Sequence, residues 1–74
     1  MDEVHRRLAR RIRELAKARK IPVSHLPDLA AVSRSYFWDV LKGKNSPTLL
    51  WLERIAGALG VDVEELVVRR AERA

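Results

Sequence analysis

The chain has 74 residues, 47% of them hydrophobic and none a cysteine, which allows one domain with a modest core and excludes disulfide staples, thiolate zinc sites and thiol nucleophiles. Lys and Arg outnumber Asp and Glu 15 to 10, and the resulting net charge of +5 lies wholly in residues 1–20, residues 21–74 being neutral. Such a balance points to polyanions or an anionic membrane surface as partners, while the lack of an apolar run of roughly 20 residues excludes a membrane span, the N-terminus lacks a signal peptide's apolar stretch, and the cytoplasm is the expected compartment.

The apolar residues recur at helical spacing and no strand pattern appears, so the expected fold is all-α with five helices. In the first, Val4, Leu8, Ile12, Leu15 and Ala16 share one arc, and Arg6, Arg10, Arg13 and Lys17 form a solvated basic stripe opposite. Ile21-Pro22 interrupts the pattern. Ser24 is then the expected cap of a short second helix through about Ala31 that carries Leu26 and Leu29 inward. Pro27 falls in its first turn, where a missing N–H is tolerated, and Leu26, as the residue before a proline, predicts a late or irregular start.

After the tight connection Ala31-Val32, Ser33 is the expected N-cap of a third helix from Arg34 to Lys42 that ends at Gly43, with Phe37, Val40 and Leu41 inward. A polar loop, Lys44 to Pro47, leads to a fourth helix capped by Thr48, with Leu49, Leu52, Ile55, Ala56 and Leu59 on its buried side and Gly60 as its stop. Asp62 and Glu65 have the spacing of a capping box for a fifth helix with apolar Val63, Leu66 and Val67. Residues 1–74 thus read as a single domain, whose end at about 69–74 continues the helix or frays.

Two short helices joined by a tight turn, the second opened by Ser33 and small polar residues, have the layout of a helix-turn-helix over about residues 23–43. A helix about 10–12 Å across fits a DNA major groove of similar width, and its first-turn side chains reach base edges. The run Val32-Ser33-Arg34-Ser35, then Phe37, Val40, Gly43, Ser46-Pro47-Thr48-Leu49 and Ile55 to Val61 resembles the Cro/repressor-type (xenobiotic-response-element) helix-turn-helix family from about Leu8 to Val67.

The resemblance implies a compact five-helix domain, usually dimeric, whose third helix enters the major groove of double-stranded DNA. Carried over by position, Arg34, Ser35 and Asp39 fall at base-reading positions: Arg34 for a bidentate guanine contact, Ser35 for several bases, Asp39 for cytosine N4. Ser33, Lys42, Lys44, Asn45 and the helix end at Thr48 fall where the family grips phosphates. Three positions depart from the family: Val23 replaces a phosphate-holding Gln, Pro27 a small Ala, and Ala16 with Leu41 a buried Arg–carboxylate pair. Replacing both partners of such a pair strands no charge, so Ala16 and Leu41 are expected to meet in the core.

Trp38, Leu50 and Trp51 fall where the fold wants solvent-facing polar residues. Their rings either fold over the core edge or form an interface. Leu50 and Trp51, with Val67 or Val68, are the candidate homodimer contacts, and Trp38 has a place on a thymine methyl or sugar or, like Trp51, against a protein partner. His5 and His25 read as surface residues. No catalytic set, phosphate loop or metal spacing is present, so neither an enzyme nor a cofactor is expected.

The leading expectation is a sequence-specific transcriptional regulator, a repressor acting as a dimer on a palindromic operator. The rival is a helix-turn-helix interaction module, such as an antitoxin or a regulator of another factor, favoured by Val23, Asp39 and Trp38. Membrane attachment through the first helix is the weakest reading, because that helix spends its apolar arc on the core.

Overall fold

The computed structural model describes residues 3–67. Among them the chain forms α1 (Glu3–Ala18), a single 3-10 turn (Val23–His25), α2 (Leu26–Ala30), α3 (Arg34–Leu41), α4 (Leu49–Leu59) and α5 (Glu64–Val67), with no strand. One hydrophobic cluster joins Leu8, Ile12, Leu26, Phe37, Ile55, Leu59 and Leu66, so every helix contributes to the same core. α1 packs against α3 and α5, and α4 against α2 and α5. Ala16 and Leu41 are both buried in this cluster, where the coupled apolar replacement places them.

Four helices end the same way. After α1, Lys20 has φ 59° and the Ile21 N–H reaches the Ala16 carbonyl at 2.9 Å; after α2, Ala31 has φ 59° and the Val32 N–H reaches the Pro27 carbonyl at 3.0 Å. After α3 and α4 the left-handed residues are Gly43 (φ 81°) and Gly60 (φ 75°), with Lys44 N–H on Asp39 O at 2.8 Å and Val61 N–H on Ala56 O at 3.0 Å. These are Schellman closures, which satisfy carbonyls that the helix leaves without partners. Two of them use residues with a Cβ, at a cost of about 1–2 kcal/mol each.

Ala31 is exposed, so its methyl group adds no packing. Ala31→Gly is therefore expected to stabilise the domain by about 0.5–1 kcal/mol, the relieved strain exceeding the roughly 0.4–1 kcal/mol of extra unfolded-chain entropy. Urea denaturation checks this: the midpoint should rise with an unchanged slope, and a lower midpoint would contradict the strain at this turn.

Several expectations need correction. Ser24 does not cap α2; it lies exposed within the 3-10 turn and the helix begins without a side-chain cap. The late start does occur, although Leu26 itself is helical (φ −61°, ψ −42°) despite preceding a proline, because it and Pro27 are both buried. Burial of Pro27 turns the inward arc toward that residue, leaving Leu29 about 110° from its centre and 58% exposed instead of inward. On α1, Val4 is exposed, Leu15 is half-buried and Ala9 joins the core.

α4 is rotated relative to the expected phase. Leu49 is 66% exposed, Leu52 is half-buried, and Trp51, expected at a solvent-facing interface, is only 5% exposed. The indole stands edge-on to Tyr36 at 6.1 Å and tilted over Phe37 at 6.0 Å, and its Nε1–H has no hydrogen-bond partner among the described residues. Burying a large ring against two others outweighs an unsatisfied N–H costing about 1–3 kcal/mol. Trp51 is therefore unavailable as a dimer contact or an anchor for another protein.

The capping box at α5 is replaced by a longer-range clamp. The Glu65 N–H does reach the Asp62 carbonyl at 2.9 Å, but the Glu65 carboxylate turns to α1, where Arg11 Nη2 donates to it at 2.8 Å and Arg11 Nε donates to the Glu65 carbonyl at 2.8 Å. Arg11 also lies 3.5 Å from Glu14. Partial burial makes this forked pair worth more than an open surface pair, so Arg11→Ala is expected to cost about 1–2 kcal/mol. Arg11→Lys should recover only part, because an ammonium cannot fork. Thermal melts at low and high salt test it: an identical loss at both would show that packing, not charge, is responsible.

Candidate nucleic-acid interface

The surface of interest is built around the first turn of α3. Ser33, in extended conformation, accepts the Tyr36 N–H on its hydroxyl oxygen at 3.2 Å and so starts the helix where the sequence expects. From that start Arg34, Ser35, Trp38, Asp39 and Lys42 fall within an arc of about 140°, opposite Phe37, Val40 and Leu41. Arg34, Ser35 and Lys42 are exposed and Asp39 is half-buried. Trp38 is also half-buried, edge-on to Phe37 with ring centroids 5.1 Å apart, so it covers the core rim as well as bordering this face.

A second helix start lies beside the first. Thr48 accepts the Trp51 N–H on Oγ1 at 3.0 Å and caps α4 as expected. Ser33 and Thr48 both line one open cleft of about 240 Å³ with Val32, Leu50, Trp51 and Arg54. Each capping hydroxyl still has its own hydrogen to donate, and each helix start carries partial positive charge. The cleft therefore has the chemistry of an anion seat.

The turn and loop that frame this face are fixed by residues that sequence reasoning did not single out. Arg54 Nη1 donates to the Ala31 carbonyl at 3.2 Å, tying α4 to the left-handed turn between α2 and α3. Tyr36 Oη donates to the Ser46 carbonyl at 2.7 Å, tying the loop that carries Lys44 and Asn45 to α3. His5 of α1 reaches Ser46 Oγ at 3.2 Å. These partners are 10 to 41 residues apart in the chain, and no local spacing signals them.

Three of the expected DNA-facing residues, Asn45, Asp39 and Arg34, are tied within the domain. Asn45 Nδ2 lies 3.4 Å from Asp39 Oδ2, a long hydrogen bond, and Arg34 Nη2 lies 3.3 Å from Asp28 Oδ2 on α2. Lys42 and Lys44 are exposed and Ser35 is open. Val23, at the family's Gln position, packs half-buried against the core, so its side chain is turned to stability and away from this surface.

Of the candidate interface residues, Leu50 is exposed (58%), as is Val67; Val68 lies outside the described residues. The basic stripe on α1, Arg6, Arg10, Arg13 and Lys17, is exposed as expected. No helix among the described residues is long and apolar enough to cross a membrane.

Comparison with known proteins agrees with this layout. The family model described as "Helix-turn-helix domain" matches residues 7–67. The immunity repressor protein of Bacillus phage phi105 is 38% identical over 60 residues, covering 81% of this chain, which spans about two-fifths (42%) of that repressor's length. A hypothetical transcription factor, NHTF, from Neisseria shares the fold with a TM-score of 0.83 at 24% identity, over 96% of this chain and 82% of its own. The restriction-modification controller protein C.AhdI from Aeromonas hydrophila superposes with a TM-score of 0.75 at 29% identity, over 84% of this chain and 94% of its own. With two short helices meeting at a left-handed turn, a capped third helix turned outward and this match over most of its length, the chain belongs to the helix-turn-helix family, of the Cro/repressor type.

Proposed function

We propose that this chain is the DNA-binding part of a transcriptional regulator, of the repressor kind, acting in the cytoplasm as a homodimer on a palindromic operator. The observation that carries the reading is the outward face of α3 flanked by two capped helix starts, Ser33 and Thr48, that share one cleft. Arg34, Ser35, Asp39 and the edge of Trp38 read bases, while Ser33, Lys42, Lys44, Asn45 and Thr48 hold phosphates. The likeness to a phage immunity repressor and to a restriction-modification controller supports the same reading.

The dimer is formed by Leu50 with Val67 and, beyond the described residues, Val68. Exposed Leu49 beside Leu50 enlarges that apolar surface. Two copies related by a twofold axis then present their α3 helices to half-sites about 34–36 Å apart. A strictly monomeric chain in sedimentation at micromolar concentration contradicts the dimer.

A second reading, a protein-interaction module, has one observation in its favour: Asp39 places a carboxylate on the outward face, where phosphates repel it. Selection of bound oligonucleotides from a random duplex pool, followed by titration of binding with salt, separates the two. A consensus with steeply salt-dependent affinity supports the DNA reading. No consensus and a flat salt response favour the interaction module.

A further inference from the structure

Asp28, on α2, has no part in the DNA contacts proposed above, yet its Oδ2 lies 3.3 Å from Nη2 of Arg34. Both side chains are largely exposed, so the pair adds little to stability. Its consequence is geometric. Arg34 carries a long, rotatable stem ending in a planar fork of five donors, and a fork with no partner samples many orientations before it meets a base. Nη2 bears two hydrogens, so one can stay on Asp28 while the other, together with Nη1, faces the O6 and N7 acceptors of a guanine.

Both ends of the pair are held by the turn between them. The Asp28 carbonyl accepts the Ala31 N–H at 3.2 Å, Arg54 holds the Ala31 carbonyl at 3.2 Å, and Ser33 caps the helix that begins at Arg34. A six-residue separation in sequence is thereby converted into a fixed offset between a carboxylate and a guanidinium. The same carboxylate repels phosphate, which lowers affinity for any duplex regardless of sequence.

We propose that Asp28 is a specificity-determining positioning residue: by holding the Arg34 guanidinium it sharpens discrimination at the base Arg34 reads and weakens binding to unrelated duplex. The proposal rests on the DNA-binding reading above. It is tested on the full 74-residue chain as wild type, Asp28→Asn, Arg34→Ala and the double variant, with Glu64→Gln, an exposed acid on α5, as the control for net charge. The probes are the duplex that the wild type selects from a random pool, the same duplex changed at the base pair where Arg34→Ala loses preference, and a random duplex.

The expected result is that Asp28→Asn cuts the preference at that base pair about two- to fivefold, while binding random duplex more tightly than Glu64→Gln does. On the Arg34→Ala background, Asp28→Asn should leave the remaining preferences unchanged, because its partner is already gone. A preference as sharp in Asp28→Asn as in the wild type, or an equal loss on both backgrounds, overturns the role of Asp28 and leaves the DNA reading standing. A wild type that selects no sequence overturns both.

Discussion

Phe37→Ala is expected to remove a large share of the domain's stability, about 3–5 kcal/mol. Phe37 is fully buried and is the ring on which the other core aromatics converge, with Trp38 at 5.1 Å and Trp51 at 6.0 Å. Removing a buried Phe side chain costs about 3–5 kcal/mol, the transfer term plus the cavity it leaves. At roughly 0.05–0.15 kcal/mol per residue, a domain of this size has only about 4–11 kcal/mol in all. No disulfide supplements the core, since the chain has no cysteine. Urea titration followed by tryptophan fluorescence reads the effect directly, because both indoles lie against Phe37. Phe37→Leu, which keeps most of the volume, should lose far less. A loss below about 1.5 kcal/mol for the alanine variant would mean that Trp51 collapses into the space and that the cluster is less rigid than its geometry implies.

Arg34→Ala and Lys44→Ala should weaken DNA binding in different ways. Arg34 stands on the first turn of α3, where a forked contact to guanine is worth about 1–3 kcal/mol, so its loss should fall on the selected sequence and relax preference at one base pair. Lys44 sits in the loop after α3 and offers a point charge to the backbone. Its removal should weaken selected and random duplex alike and reduce the salt slope by about one. Affinities measured across a salt series on both duplexes separate these outcomes. Equal losses for Arg34→Ala on selected and random DNA would remove it from base reading, and a Lys44→Ala slope equal to that of the wild type would remove the lysine from the phosphate contacts.

Much of the frame for this surface was legible in the sequence because it depends on contacts within one helical turn. Ser33 and Thr48 each cap a helix through an N–H three residues on, and Gly43 and Gly60 each close one through a left-handed residue. These devices set where α3 and α4 begin and end, and with them which residues of α3 point outward. Caps were misjudged where a local partner was outcompeted: Glu65 has capping-box spacing but takes Arg11 of α1, and Ser24 lies in a 3-10 turn.

The rotation of α4 shows what local pattern leaves open. Leu49 and Trp51 are both apolar residues in one helical turn, and either helical phase satisfies the periodicity. The choice between them depends on Tyr36 and Phe37, which lie 14 to 15 residues back in the chain and stand against the Trp51 ring. A ring of that size finds more contact there than Leu49 could, so α4 turns Trp51 inward and leaves Leu49 and Leu50 on the surface.

The charge distribution has a similar history. Of the basic residues at the N-terminus, Arg6, Arg10, Arg13 and Lys17 form an exposed stripe on α1, while Arg11 is spent on holding α5. The sequence alone determined five helices, the caps of α3 and α4, the helix-turn-helix layout and the outward set from Arg34 to Lys42, because each is governed by residues within a turn or two of one another. Only the tertiary structure decided that Trp51 is core, that Arg54 and Tyr36 fix the turn and loop, and that Asp28 holds Arg34, because each of those pairs is made by the packing of one element on another.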